Sequence, residues 1–224
     1  MRSELIDALL ELLARDSESF DVHRFAQELA ERAAALAPAR DGGVLLSFPA
    51  EPAEITAGTG RAHKLMRFQL EHDEGPALEC LHNGSSGDGP WPQFSAAYGE
   101  AGYSSIHTFP IRTDRAAFGA LCLFDVGENA VTTGRHLAYA AALQLIHQRD
   151  LHQLGVRLNH LQTALDSRIV IEQAKGMLAE RHKIGVDTAF EGLRRYARNH
   201  NIRVADLARA IVEGRDLMRE NDSR

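Results

Sequence analysis

Residues 151–165 read LHQLGVRLNHLQTAL, and the chain runs on through 166–178 as DSRIVIEQAKGML. Leu151, Leu154, Leu158, Leu161 and Leu165 recur at spacings of 3, 4, 3 and 4, the a/d seam of a coiled coil. Carried backwards, the register falls on Gln144 and His147, so the seam weakens there, while Leu143 and Ile146 suit a face packed on a preceding domain. The pattern predicts a helix over 136–165. One reading lays this helix along its own globular core. The other pairs it with a second copy. Too little neighbouring sequence surrounds the helix's second half to hide five leucines, which favours a two-stranded parallel coiled coil and a homodimer.

Downstream, three short helices follow. The first covers 167–182, with Asp166 or Ser167 as its cap and Ile171, Ala174 and Leu178 on one face. The second follows the turn at Ile184-Gly185-Val186, with Asp187 as N-cap and Ala189, Phe190, Leu193 and Ala197 turned inward. The third spans 203–214, with Val204, Leu207, Ala208 and Ile211 inward and a short tail behind it, 214–224. A bundle this small has a small core and gains from anchoring to the long helix.

Upstream, helix and strand signals mix. Leu5, Leu9, Leu12 and Leu13 mark an amphipathic helix over 3–14. A second helix starts at the N-cap Asp21, with Phe20 and Phe25 at the positions of a hydrophobic staple, and stops before Pro38. Asp41-Gly42-Gly43 reads as a turn, 44–48 as a short buried strand and 54–57 as another. Residues 61–82 are helical in two pieces broken at Gly75-Pro76, the Gly-, Ser- and Pro-rich 83–92 is a loop, and 91–101 is a short helix. Residues 105–111 and 118–124 are the clearest strands, joined as a hairpin around Thr113-Asp114-Arg115. Strands flanked by helices without strict βα alternation define an α+β domain.

Charge divides the chain at the same place. Net charge is −6 over all 224 residues, but −9 over residues 1–135 and +2 over 166–213. Eight of the nine Phe and the single Trp precede residue 136. Two modules with different partners are expected, and the mild basic excess of the second permits an anionic one. No apolar run is long enough to cross a bilayer, and the opening residues do not read as a secretion signal. Cys80 and Cys122 lack zinc or disulfide-framework spacing and read as buried small apolar residues, in keeping with a reducing, cytoplasmic setting. His63, His72, His82 and His107 are scattered without a paired nucleophile or acid, so no catalytic residue and no metal site is expected, and an enzyme is the weakest reading.

The polar face of the second module carries the chemistry. At 100° per residue, Arg168, Glu172, Lys175, Gly176 and Ala179 form a strip beside the core stripe. Gly176 costs about 1 kcal/mol against Ala in a helix interior. Close approach of another backbone would justify it, either a nucleic-acid strand or a neighbouring helix of the bundle. Arg194 and Arg198 stand one turn apart with Arg195 beside them, a solvated cationic face or a phosphate-binding one.

The run Leu161 to Leu178, with its Ile171-Glu172-Gln173-Ala174-Lys175-Gly176 core, resembles the first helix of an ANTAR domain, as does its continuation through Ala189-Phe190, Leu193-Arg194-Arg195-Tyr196-Ala197-Arg198 and Asn201. The resemblance covers 161–213. It implies a three-helix RNA-binding module of transcription antiterminators, whose partner is a pair of stem-loops in leader mRNA. Residues 15–147 are similar to a GAF domain at Glu74-Gly75-Pro76-Ala77-Leu78-Glu79, Trp91-Pro92-Gln93-Phe94, Gly102-Tyr103-Ser104-Ser105 and Phe118 to Phe124. That similarity implies an antiparallel sheet with flanking helices, a small-molecule ligand of unknown identity and dimerisation, with no cofactor. The expected organisation is thus a GAF-like sensor over 15–147, a connecting coiled-coil helix over 136–165 and an ANTAR bundle over 166–213. Arg168, Lys175, Arg194, Arg195 and Arg198 are assigned to phosphate or base contact and Gln173 to a base edge. Gly176 and Ala179 give the RNA room. Tyr196 either stacks on a base or packs in the bundle. A signal at the sensor would bias the connecting helix. A partner-protein module and a helix-turn-helix-like DNA binder are the alternatives.

Overall fold

A computed structural model describes residues 2–13, 20–48, 51–84, 89–127 and 130–215. The chain separates into two units, Met1–Leu151 and His152–Arg224.

The first unit is built on a four-stranded antiparallel sheet in the order β2-β1-β4-β3, with β1 at Ala39–Phe48, β2 at Glu51–Gly58, β3 at Ile106–Arg112 and β4 at Ala117–Val126. Strand alternation sorts side chains to two faces. Val44 and Leu46 go to one face with Phe109, Ile111, Leu121 and Leu123. Helix α1 (Arg2–Leu13), helix α2 (Val22–Leu36) and the start of α6 (Ala130–His182) cover that face with Leu12, Phe25, Leu29, Leu137, Ala141 and Leu145. Leu45, Ala120, Cys122 and Phe124 go to the other face, under α3 (Ala62–His72), α4 (Pro76–Asn83) and α5 (Pro92–Glu100), which supply Met66, Leu78 and Phe94. Phe118 joins the Leu121 face although the parity of β4 opposes it. The register slips beside it, from Ile111↔Gly119 to Arg112↔Ala117, and the extra residue resets the alternation.

Several expected signals hold. Asp21 caps α2, its carboxylate accepting from the amides of His23 at 2.8 Å and Arg24 at 3.1 Å. Phe20 and Phe25 meet at 5.3 Å between ring centroids. The α3–α4 break at Gly75-Pro76 is tied by buried Gln69, whose Oε1 accepts from the Ala77 amide at 2.7 Å.

Asp41-Gly42-Gly43 is not a turn. These residues lie inside β1, paired with β4 at Asp41↔Phe124, Gly42↔Leu123 and Gly43↔Cys122. The glycines serve packing instead. A Cβ on Gly42 would stand 2.3 Å from the Ala30 carbonyl oxygen of α2, and one on Gly43 would stand 2.6 Å from Met66 Cγ of α3. Helices on both faces press against bare backbone there. Residue 14 of the expected first helix, residues 15–19, 49–50, 85–88 and 128–129 of the expected sensor and residues 216–224 of the tail lie outside the described residues.

α6 also corrects an expectation. No boundary separates a connecting helix at 136–165 from a bundle helix at 167–182, because the helix is continuous from Ala130 to His182. Asp166 and Ser167 are interior rather than caps. Ser167 Oγ donates to the Thr163 carbonyl at 2.7 Å, and Gln162 donates to Asp166 at 3.0 Å. Bonding back to the carbonyl one turn earlier satisfies the hydroxyl of a serine in a helix interior, at a slight cost to the helix. Of the upstream residues, Ile146 packs on the first core but Leu143 points outward, and Gln144 is buried.

In the second unit, Ala174 and Leu178 of α6 meet Ala189, Leu193 and Ala197 of α7 (Val186–Asn199) and Leu207, Ala208 and Ile211 of α8 (Val204–Val212). Lys183 and Asn201 take left-handed conformations (φ 54° and 52°) and end α6 and α7. Gly185, not Asp187, is the N-cap of α7. Asp187 falls in the first turn, where a carboxylate complements the helix dipole.

Candidate nucleic-acid interface

The expected cations come from two helices of the bundle, and Phe190 organises two of them. Its half-buried ring lies 5.0 Å from Lys175 Nζ of α6 and 5.6 Å from Arg194 Cζ of α7. An aromatic face attracts both charges and holds them on one side of the bundle. Lys175 is further engaged: its Nζ donates to both carboxylate oxygens of Glu172 at 2.9 Å, and its side chain is only 13% exposed. It is therefore a seated cation rather than a free prong. Arg168, Arg195 and Arg198 are exposed and make no ion pair among the described residues.

Gly176 is exposed, and a Cβ there would meet nothing within 4 Å. That removes one of its two explanations, since no helix of the bundle approaches it; its backbone faces open space. Ala179 instead packs half-buried on the bundle core. Gln173 is exposed. Tyr196 also packs on the core and stacks on His200 at 3.9 Å, while the His200 ring nitrogen lies 2.9 Å from the Tyr196 carbonyl. The cations therefore divide across α7. Arg194 shares the Phe190–Lys175 side, with Arg198 one turn on. Arg195 turns toward a concavity of about 310 Å³ on another side, whose lining also includes His182, Thr188 and Asn199. Sequence spacing missed Phe190 as an organiser, because an aromatic at a core-facing position gives no sign of which cations will cover it. It also missed the concavity, whose lining comes from α6, the turn and α7 together.

The expected zipper residues lie on a stretch of α6 that is exposed all round from residue 152 to 166. Leu151 is half-buried, and Leu154, Leu158, Leu161 and Leu165 are between 52% and 68% exposed.

In the first unit, the Tyr103 hydroxyl donates to Asp41 at 2.6 Å and Thr59 donates to the same carboxylate at 2.9 Å, at one end of the sheet. Burial pushes the Tyr103 hydroxyl up, aided by the Asp41 carboxylate. Burial also pushes the thiol of Cys80 up to about 11 and that of Cys122 up to about 12. A second concavity, about 580 Å³, lies beside the edge strand β3, with Phe109, Arg112, Arg135 and Tyr139 among its lining. His107 also lines it, and its Nδ1 is buried without a hydrogen-bond partner. Among the described residues, no three His, Cys, Asp or Glu side chains gather as a metal site would require, and no helix is long and apolar enough to cross a membrane.

With this geometry described, the likeness to known proteins is specific for one segment. Residues 159–212 match the ANTAR domain family, and the strip on α6, the arginines of α7 and helix α8 all fall inside the matched segment. The nitrate regulatory protein of Klebsiella oxytoca is 34% identical over 79 residues, which make up 34% of this chain and 20% of that protein. The match thus spans about a fifth of that relative's length. The solved GAF domain of an Acinetobacter phosphoenolpyruvate-protein phosphotransferase aligns with 66% of this chain and 94% of its own, at 12% identity and a TM-score of 0.41.

Proposed function

We propose that this protein is a regulator that binds RNA through its ANTAR domain and acts on transcription by antitermination. The observation that carries this reading is the coincidence of the ANTAR match over 159–212 with a cationic surface of Arg168, Arg195 and Arg198, which make no ion pair among the described residues, and of Arg194 and Lys175 seated on Phe190. Guanidinium groups fixed on a rigid bundle hold phosphates. The open backbone at Gly176 lets a strand approach α6 closely.

In this reading two copies zip along Leu151, Leu154, Leu158, Leu161 and Leu165, whose exposure supports an interface. Two bundles held together then grip two stem-loops of one leader transcript, and the second contact gains from effective concentration. Holding both hairpins keeps an overlapping terminator from forming. The first unit is the GAF-like sensor, and the concavity beside β3 offers a place for a small-molecule signal. A signal acts only if it binds two arrangements of α6 unequally.

The test is a mobility-shift titration of the full chain with a two-hairpin leader RNA at graded salt. Arg194→Ala and Arg198→Ala should each weaken binding and flatten the logarithmic salt slope by about 0.7 to 0.9. Unchanged affinity in both variants would remove the assignment.

A further inference from the structure

The concavity beside Arg195 has a composition that phosphate binding does not need. Its floor is apolar, formed by Leu178, Ile184, Ala189 and Leu193. Around it stand His182, Thr188, Arg195 and Asn199, none of which makes a side-chain hydrogen bond or ion pair among the described residues. No Asp or Glu lines it. On α7, Thr188, Gly192, Arg195 and Asn199 follow at spacings of 4, 3 and 4 and so share one face. Gly192 keeps that face low: a Cβ there would meet nothing within 4 Å, so the space above it is open rather than filled by a neighbour. The helix bears the cost of an interior glycine, about 1 kcal/mol against Ala, without any packing need for it.

Two kinds of ligand fit a cationic bundle. A phosphate backbone needs charges and amide donors on a convex surface, which the Arg194–Arg198 side supplies. A flat heteroaromatic group needs an apolar floor together with donors and acceptors at its edge. At about 310 Å³ the concavity is at the small end of ligand sites. An amide, a hydroxyl, an imidazole and a guanidinium together match the mixed donor and acceptor edges of a nucleobase, and a neighbouring cation favours a base attached to phosphate.

We propose that this concavity takes one unstacked base of an RNA loop, with Arg195 and Asn199 reading its edge while Arg194 and Arg198 hold the backbone. The proposal rests on the RNA-binding reading and deepens it, placing sequence choice at Gly192, Arg195 and Asn199 and affinity at Arg194 and Arg198.

The experiment uses the full chain and a pool of RNA hairpins with one constant stem and a fully randomised loop. Selection with the unmodified protein should enrich one loop base, and the winning hairpin then serves as probe. Gly192→Leu starts from a position where a Cβ would meet nothing within 4 Å and places a branched side chain in the concavity. It should keep or raise the thermal midpoint, lower affinity for the winner by about tenfold, the scale of one base contact, and erase the loop preference. Asn199→Ala is the second variant and should blunt the same preference. Arg198→Ala lies outside the concavity and should weaken all loops alike. If Gly192→Leu and Asn199→Ala keep both affinity and preference while Arg198→Ala weakens binding, the base site is overturned and RNA binding stands. If the unmodified chain binds no member of the pool, both readings fall.

Discussion

At the scale of single residues, glycine has opposite meanings in the two units. Gly42 is bare because α2 lies on it, and Gly176 is bare with nothing near it. Gly42→Ala should therefore destabilise the chain by at least about 2 kcal/mol through overpacking. Gly176→Ala should stabilise it by about 0.5–1 kcal/mol through helix propensity. Urea unfolding of the two variants checks both signs. The thiols give a second residue-scale prediction. Burial holds Cys80 and Cys122 near 11 and 12, so the nucleophilic thiolate is scarce at neutral pH. A thiol reagent at pH 8 should label neither cysteine in the native chain and both in denaturant; fast native labelling would contradict the burial. Asp125 gives a third. Its Oδ1 accepts from the Ser104 amide at 2.7 Å, the Ser104 hydroxyl at 2.8 Å and the Ser105 amide at 3.0 Å. The Ser104 amide bond is the largest cause holding this carboxyl below the usual aspartate range. A lowered folded value means that the stabilisation is present in full above the unfolded value of about 4 and is lost as pH falls through the folded one. Asp125→Ala should cost about 1–2 kcal/mol at pH 7, a loss that shrinks in acid. Equal losses at pH 7 and pH 3 by chemical denaturation would refute that origin.

Among the secondary elements, α6 was the most legible in type and the least legible in extent. Its leucine seam and its buried Ala174 and Leu178 were both evident from spacing, yet the junction at Asp166-Ser167 looked like a cap. The same two residue types serve as caps or as interior residues, and what decides is whether the preceding turn is already helical. The Asp41-Gly42-Gly43 stretch failed for a related reason. Turn chemistry is local, whereas a glycine pair demanded by helices on both faces of a sheet is a tertiary requirement. The β3–β4 hairpin and the α3–α4 break were readable because their signals, period-two alternation and Gly-Pro, act locally. The exposed seam of α6 carries its own prediction. Burying a leucine is worth about 1.5–3 kcal/mol, so if two copies pair as proposed, the exposed Leu154, Leu158, Leu161 and Leu165 are the residues that would drive it. Leu154→Lys with Leu158→Lys should give monomers in sedimentation velocity. A persistent dimer would place the interface elsewhere.

For the whole molecule, one helix belongs to both units: its early turns carry Leu137, Ala141 and Leu145 into the sheet core, and its late turns carry Ala174 and Leu178 into the bundle. If zipping supplies the second RNA contact, the Leu154→Lys, Leu158→Lys variant should lose about a hundredfold in affinity for a two-hairpin RNA while its affinity for one hairpin is unchanged. Equal affinities for both RNAs in the unmodified chain would deny any gain from pairing. Local signals alone were enough for the α+β character of the first part, the heptad seam, the three helices of the bundle and the cations on its surface. Those follow from hydrophobic period, capping chemistry and charge, properties of residues close in the chain. Contacts between distant residues decided the rest: the glycine pair inside β1, the seating of Lys175 and Arg194 on Phe190, the burial of Tyr196 against the bundle, and the concavity above Gly192. Each depends on which side chains of separate helices and strands come to face one another, and that is a property of packing rather than of spacing.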